Sequence, residues 1–431
     1  MDKQKFYAEL RRRDTADVLK LAQELIRIPS FSGQEDKAVK HVAAVAKKLG
    51  FDNVYTSPMG CFIGEMIFGN GTGPKIVLTG HLDTVGVVEE EWSKRTPAFE
   101  GNIINGRLYG RGASDMKSSD AAMIYAIAET SKYAKDVNAR VYYVGTVVEE
   151  FFEGVAFLEA ISEINPDYVI VGEASQRRIQ IGQRGRAEVM VTSYGQPQHA
   201  STGREVINAI EQAAYIIDQF HRWYRSPDDE ILGKRNVVPV DIKIPVGGGG
   251  GLDGRGGNST VPSKVELNYD IRTLAGDTEE TILSIIRYNL GDVVKKGRTR
   301  YPNFKNPKIE MATDKFTTYT GAVINQPKFA PAWKTPEDSN IVTAAKRALE
   351  NVGQEVKLGS YKFCTDGSGV VRYEENNPGK HIEIIGYGPG NEKDAHTVNE
   401  SIYVEEIDKA FKGFAGIITE LITLPLSQYP L

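Results

Sequence analysis

The sequence predicts an α/β protein whose main sheet is built from both ends of the chain and is interrupted by an inserted α+β domain. Four short, β-rich apolar runs carry the first part of that expectation: KIVLTG before His81, VYYVGTVV before Glu149, DYVIVG before Glu173, and IEIIGYG ahead of His396. Each run has the composition of a buried strand and gives way at once to polar residues. Helical patterns alternate with them, and the middle of the chain changes character, which together imply a sheet covered by helices plus a second domain.

In chain order, MDKQKFYAELRRRDTADVLKLAQELI alternates charged and apolar residues at helical spacing and lacks the apolar core of a signal peptide. EDKAVKHVAAVAKKLG reads as a helix closed by Gly50, KSSDAAMIYAIAETSKYA as another, and VEEIDKAFKGFAGIITELITL as the closing one. From about Gly182 the strand pattern RAEVMVTSY leads to the long helix pattern EVINAIEQAAYIIDQFHRWY, then to further strands and TEETILSIIRYNLGDVV. The expected boundaries are 1–182 and 326–431 for the two parts of the main-sheet domain, with 183–325 inserted between them. GGGGGLDGRGGNS, from Gly247 to Ser259, is too rich in glycine to pack and is expected to be a loop. It lacks the Gly-Lys-Ser/Thr ending of a phosphate-binding loop.

Composition narrows the function classes. The 431 residues are 41% hydrophobic with a net charge of -5 and no basic block, so neither nucleic acid nor an anionic membrane is an expected partner. No run approaches the roughly 18 apolar residues needed to cross a bilayer. The two cysteines, Cys61 and Cys364, lie far apart, and a reducing cytoplasm is the expected compartment.

Chemistry gathers where the apolar runs end, which is where open α/β sheets bind ligands. In His81-Leu82-Asp83 the alternation of a strand sends residues 81 and 83 the same way, so the Asp83 carboxylate could orient a metal-bound His81. Taken alone, the triplet is a weak signal that a core or surface histidine explains better. Asp115, in GRLYGRGASDMK, is either the cap of the helix that follows or, through its two oxygens, a bridge between two cations. Glu149 and Glu150 are adjacent anions at a buried strand end, costly unless neutralised; a solvated helix start is the alternative. With a metal present, one glutamate can ligate while the other acts as general base. Glu173 in VIVGEAS and His396 in GPGNEKDAHTVNE complete a histidine and carboxylate set of the kind that suits zinc, with manganese or cobalt as substitutes. Neither GxSxG nor HExxH occurs, which removes serine hydrolases with a nucleophile elbow and the HExxH zinc proteases.

In order and context, GHLDTV, GRLYGRGASDMK, TVVEEFFEG, VGEAS and the late His396 resemble the co-catalytic zinc aminoacylase and exopeptidase family of glutamate carboxypeptidase, acetylornithine deacetylase and succinyl-diaminopimelate desuccinylase. The resemblance implies a mixed, mainly parallel sheet sandwiched by helices, with the insertion serving as lid and dimerisation domain. It implies two divalent metals, one on His81, Asp115 and Glu173, the other on Asp115, Glu150 and His396, with Asp83 supporting His81. Glu149 matches the general base for attack of activated water on an amide carbonyl. His199, in SYGQPQHAS, matches an oxyanion donor that in the family often reaches a partner subunit's site, implying a homodimer. Asn258 and Arg272 match substrate-binding positions of the lid, as do Gly367 and Ser368 in the C-terminal substrate loop.

The implied activity is hydrolysis of an amide bond in a small substrate, by an N-acyl amino acid deacylase or carboxypeptidase-type peptidase. A dipeptidase of the same family and a non-catalytic metal-binding relative are the alternatives. Glu173 argues against allantoate-type amidohydrolases, in which a histidine takes that position. GQRGR and PAWKTPEDSN most resemble bacterial hydrolases linked to selenium metabolism. Ser118-Ser119-Asp120 departs from the glycines that many relatives carry after their Asp-Met-Lys triplet.

Overall fold

The structure is a computed structural model that describes residues 2–134, 136–201, 207–223, 226–244 and 259–425. The chain divides into two compact units, one of Met1–Gln183, Phe316–Ile324 and Trp333–Leu431, the other of Arg184–Lys315 and Asn325–Ala332. The sequence suggests two crossings between them; the structure has four. Residues 316–324 return to the first unit, where Tyr319 donates its hydroxyl to the Gly60 carbonyl at 2.8 Å and the Phe316 ring lies 4.9 Å from that of Phe151. Phe329–Ala330 then goes back to pair with Ala187 and Arg186 of the second unit.

The first unit is organised on one sheet. Its strands are β1 (Asn53–Thr56), β2 (Phe62–Phe68), β3 (Lys75–His81), β4 (Ala139–Thr146), β5 (Tyr168–Val171) and β6 (Ile179–Gln183). The second unit supplies β7 (Gly185–Tyr194), β8 (Asn236–Lys243), β9 (Lys264–Thr273) and β10 (Lys308–Met311), after which the first sheet regains β11 (Trp333–Lys334), β12 (Leu358–Tyr361) and β13 (Glu383–Gly386). The main order is β1-β2-β4-β3-β5-β13-β6-β11, with β12 added alongside β6. The four central strands, β4, β3, β5 and β13, are mutually parallel; the pairings of β1 with β2, β2 with β4, and β6 with β13 and β11 are antiparallel. Those four are the apolar runs that precede the polar clusters. Because they are adjacent and parallel, their carboxyl ends emerge along one edge.

Helices cover both faces of this sheet; in chain order the first unit has α1 (Lys3–Arg12), α2 (Ala16–Ile26), α3 (Asp36–Lys48), α4 (Lys117–Ser131), α5 (Val155–Ile164), α8 (Asn340–Asn351), α9 (Gly367–Asn376) and α10 (Val404–Ile422), and the second unit α6 (Ala209–Trp223) and α7 (Glu279–Arg300). Successive strand residues point to opposite faces. Thr79 bonds Asp366, the N-cap of α9 (Gly367–Asn376), whereas a side chain at Gly80 would strike Asp120, Met116 and Met123 around α4 (Lys117–Ser131). Only glycine at 80 admits α4 this closely. The helix is buried almost all round, consistent with its lack of a charged face, and packs against α2 (Ala16–Ile26) and α10 (Val404–Ile422).

The second unit is an antiparallel sheet, β8-β9-β7-β10, with α6 (Ala209–Trp223) and α7 (Glu279–Arg300). Along β9 buried and half-buried residues alternate strictly, so Val265, Leu267, Tyr269 and Ile271 join Ile216, Phe220, Ile286 and Leu290 of the helices in one core. Thr278 and Thr281 form a reciprocal capping box that starts α7.

Candidate metal centre

Six side chains converge beyond the carboxyl ends of the central strands. His81 ends β3, Glu149 and Glu150 follow β4, Glu173 follows β5, His396 follows β13 after a longer loop, and Asp115 lies two residues before α4. The Asp115 carboxylate is central: Oδ1 is 2.9 Å from His81 Nε2 and Oδ2 is 3.1 Å from His396 Nε2. His81 Nε2 also lies 3.5 Å from Glu173 Oε1, and His396 Nε2 lies 2.9 Å from Glu150 Oε2. Each oxygen of one aspartate thus faces a different imidazole, and each imidazole faces a further glutamate. Among the described residues, His81, Glu149 and Glu173, and again His81, Asp115 and Glu150, bring donor atoms within 4.8 Å of one another.

This donor set fits two divalent cations. Four carboxylates and two imidazoles share a largely buried space, and Oε1 of Glu149 and Oε1 of Glu150 are buried with no hydrogen-bond partner. Such anions are not tolerated in an apolar surround without a compensating charge. Burial pushes the Glu173 and Glu149 carboxyls well above the usual range, with nearby carboxylates adding to the effect. Against its own burial, Asp115 is held far below that range by His396 and His81. His81 is raised by Asp115 and Glu173 despite burial, and His396 is pushed up to about 10 by its bonds to Asp115 and Glu150.

The surrounding shell differs from the sequence reading at Asp83. His81 Nδ1 meets the Asp83 main-chain carbonyl at 2.8 Å, while the Asp83 carboxylate is 3.8 Å away. That carboxylate instead accepts the N–H groups of Glu149 and Glu150 at 3.1 and 3.2 Å and the Ser32 hydroxyl at 2.7 Å. The chain turns sharply after β4, which brings these amides to Asp83 rather than leaving its oxygens for the ring.

Three further acids support the site, and lone-residue reading could not find them. Glu400 is buried and gathers the Asp115 loop: it accepts the Ser114 and Asp115 N–H groups at 2.7 and 3.0 Å, and Gly112 N–H and Arg111 Nη1 at 3.1 and 2.5 Å. Its position four residues after His396 was the one available signal. Asp366 accepts the hydroxyls of Thr79 and Thr146, on the adjacent strands β3 and β4, at 3.1 and 2.7 Å. Glu35 accepts the Gly33 and Val148 N–H groups at 2.8 and 3.1 Å. Val148 has φ 58°, a left-handed conformation rare for a β-branched residue, and His396 has φ 59°.

The remaining sequence candidates stand elsewhere. Gly367 and Ser368 open α9 rather than forming a loop. A Cβ at Gly367 would lie 2.3 Å from Trp333 Nε1, and Ser368 is fully buried, its hydroxyl oxygen accepting from Gln183 Nε2 at 2.8 Å. His199 belongs to the second unit, where it is exposed and its Nδ1 lies 2.7 Å from the Ser201 hydroxyl. Arg272, on β9 of the same unit, is ion-paired with Asp270 at 2.9 Å, which occupies the guanidinium otherwise suited to a carboxylate. Asn258 and the glycine run before it lie outside the described residues.

Both cysteines are free and buried, and no helix among the described residues is long and apolar enough to cross a membrane. The family model for peptidase family M20/M25/M40 matches residues 77–420. The uncharacterized protein YgeY of Escherichia coli strain K12 is 28% identical over 413 residues, covering 93% of this chain and 94% of its own. Human carnosine dipeptidase 1 superposes with a TM-score of 0.68 at 17% identity, over 97% of this chain and 98% of that one. A metallo-carboxypeptidase from Sulfolobus solfataricus, Sso-CP2, gives 0.70 at 18% identity, over 94% and 99%.

Proposed function

Because the chain belongs to peptidase family M20/M25/M40 and is therefore a metallohydrolase, we propose that it cleaves the amide bond of a small N-acyl amino acid or peptide at this centre. The observation that carries the reading is the Asp115 carboxylate, with one oxygen on each histidine and a glutamate beyond each. His81, Asp115 and Glu173 would hold one divalent cation and Asp115, Glu150 and His396 a second. The nitrogen and oxygen donors favour zinc, with cobalt or manganese as substitutes. Bound there, the cations would supply Lewis acidity to the substrate carbonyl and lower the pKa of water.

Glu149 is the general base in this scheme. Its carboxyl is buried with Oε1 left without a hydrogen-bond partner, an oxygen that could take a proton from the attacking water and return it to the departing amine. Asp83 orients Glu149 and Glu150 through their main-chain amides. His199 is proposed as a donor to the oxyanion and Arg272 as a contact for the substrate carboxylate, which requires it to leave Asp270 at least in part.

A homodimer through the second unit is part of the proposal. It is supported by β8, an edge strand that exposes Val238, Val240 and Ile242. The free thiols suit a reducing cytoplasm. The test is hydrolysis of a panel of N-acetyl, N-succinyl and N-carbamoyl amino acids and dipeptides by protein stripped of metal and reloaded with zinc, cobalt or manganese. Metal-dependent cleavage of one class supports the reading and separates deacylase from dipeptidase; two bound metals without cleavage of any member opposes it.

A further inference from the structure

We propose that Glu35 is a positioning residue for the general base: by accepting the Val148 N–H it fixes the left-handed turn from which Glu149 projects. The inference rests on Glu149 being that base. Three consecutive amides, of Val148, Glu149 and Glu150, are taken by two fully buried carboxylates. Asp83 holds the second and third, and Glu35 holds the first at 3.1 Å.

Glu35 stands at the N-cap of α3 (Asp36–Lys48) yet makes no side-chain cap to that helix. Its Oε1 is directed instead to the Gly33 and Val148 amides, and its Oε2 is buried without a partner. A carboxylate in so dry a place, away from its own helix end, is explained by the amide it holds. The Val148 φ of 58° is disfavoured for valine and persists only where the surroundings over-determine it. Glu35 supplies one of those restraints directly at the strained residue. Without it the turn can relax toward an ordinary conformation, carrying the Glu149 backbone with it. The metal-facing carboxylates are held at other points, by His81, His396 and Asp83. A displacement of about 1 Å at a catalytic group is enough to cost on the order of 100-fold in rate.

The experiment compares metal-loaded Glu35→Gln, Glu35→Leu, Glu149→Ala and the Glu35→Leu/Glu149→Ala double variant for metal content, melting temperature, kcat and KM on the amide identified by the panel. Glu35→Gln keeps the accepting oxygen and should stay within about threefold of the native kcat. Glu35→Leu should bind two metals with KM within about twofold, but lose about 100-fold in kcat. Added to Glu149→Ala it should cost nothing more, because it acts through the group already removed. Native kcat in Glu35→Leu, or a full further loss in the double variant, overturns the proposal. If Glu35→Leu does not fold, Glu35→Asp serves. It keeps the carboxylate but withdraws it by one methylene, so a kcat loss with both metals bound supports the proposal and native kcat overturns it. An active Glu149→Ala overturns the general-base reading and this inference together, whereas an inactive Glu149→Ala beside an active Glu35→Leu overturns the inference alone.

Discussion

The two halves of the metal centre use the same kinds of donor and differ in their exposure. The His81 side chain is 1% exposed and sits with Glu173 among buried strand ends, whereas the His396 side chain is 52% exposed and is carried by a loop. Solvent therefore reaches the His396 half, while the His81 half is a closed wall. A buried ligand set is screened little and held on several sides, so it should bind its cation more tightly and exchange it more slowly than the open set. Asp115 joins the two, and Glu400 holds Asp115 from behind.

The strongest way to break this comparison is at the bridge. On the proposed ligand set Asp115→Ala removes a ligand from both halves, so metal content should fall toward zero and turnover should drop by more than the roughly 100- to 10,000-fold a general base supplies. Two bound equivalents by elemental analysis would show that Asp115 is no bridge. Next in size, Glu149→Ala should keep both metals and lose ~100-fold or more in kcat; retained turnover would falsify its role as base. Sharper for the comparison itself is His396→Ala. It should lose one equivalent to a mild chelator and keep the other, while His81→Ala should release both or fail to load. Equal loss from the two variants would mean that burial does not rank the halves. Glu400→Gln should weaken binding of the open-half metal by about 10- to 100-fold, as loss of a group supporting the ligands does; titration with cobalt would reveal it.

The smallest expected effect is on pH and stability. With the cations stripped, His396 carries a pKa raised to about 10 by its bonds to Asp115 and Glu150. A raised histidine pKa contributes stability that is complete below its unfolded value of about 6.5 and is lost as pH rises through about 10. The stripped protein should therefore melt a few degrees lower at pH 9.5 than at pH 6.5, with the drop reduced in His396→Ala. Solvent screening at this half-exposed side chain keeps the effect modest. A slope unchanged by the substitution would exclude the pair as its source.

Much of the fold, and the meeting of the candidate ligands, were legible in the sequence because buried parallel strands are apolar and end abruptly in polar residues. KIVLTG, VYYVGTVV, DYVIVG and IEIIGYG became four adjacent strands, and the acids and histidines following them met at one edge. The supporting acids were not legible. Glu35 and Glu400 lie in short polar stretches that look solvated, and only long-range main-chain bonds reveal that they are buried. Asp83 was legible as a neighbour of His81 but not in its partner, since the turn that delivers the Glu149 and Glu150 amides has no sequence period. The return of residues 316–324 to the first unit was hidden for the same reason: a short hairpin carries little hydrophobic pattern.

That return has a consequence for how the architecture could have arisen or be simplified. A domain inserted at one point can be deleted by splicing its two ends, but here a splice from Gln183 to Trp333 would also delete Tyr319 and Phe316, which close over Gly60 and Phe151. The second unit is stitched into the chain at four junctions, so an ancestor or a minimised descendant lacking it would need a replacement cover for that surface.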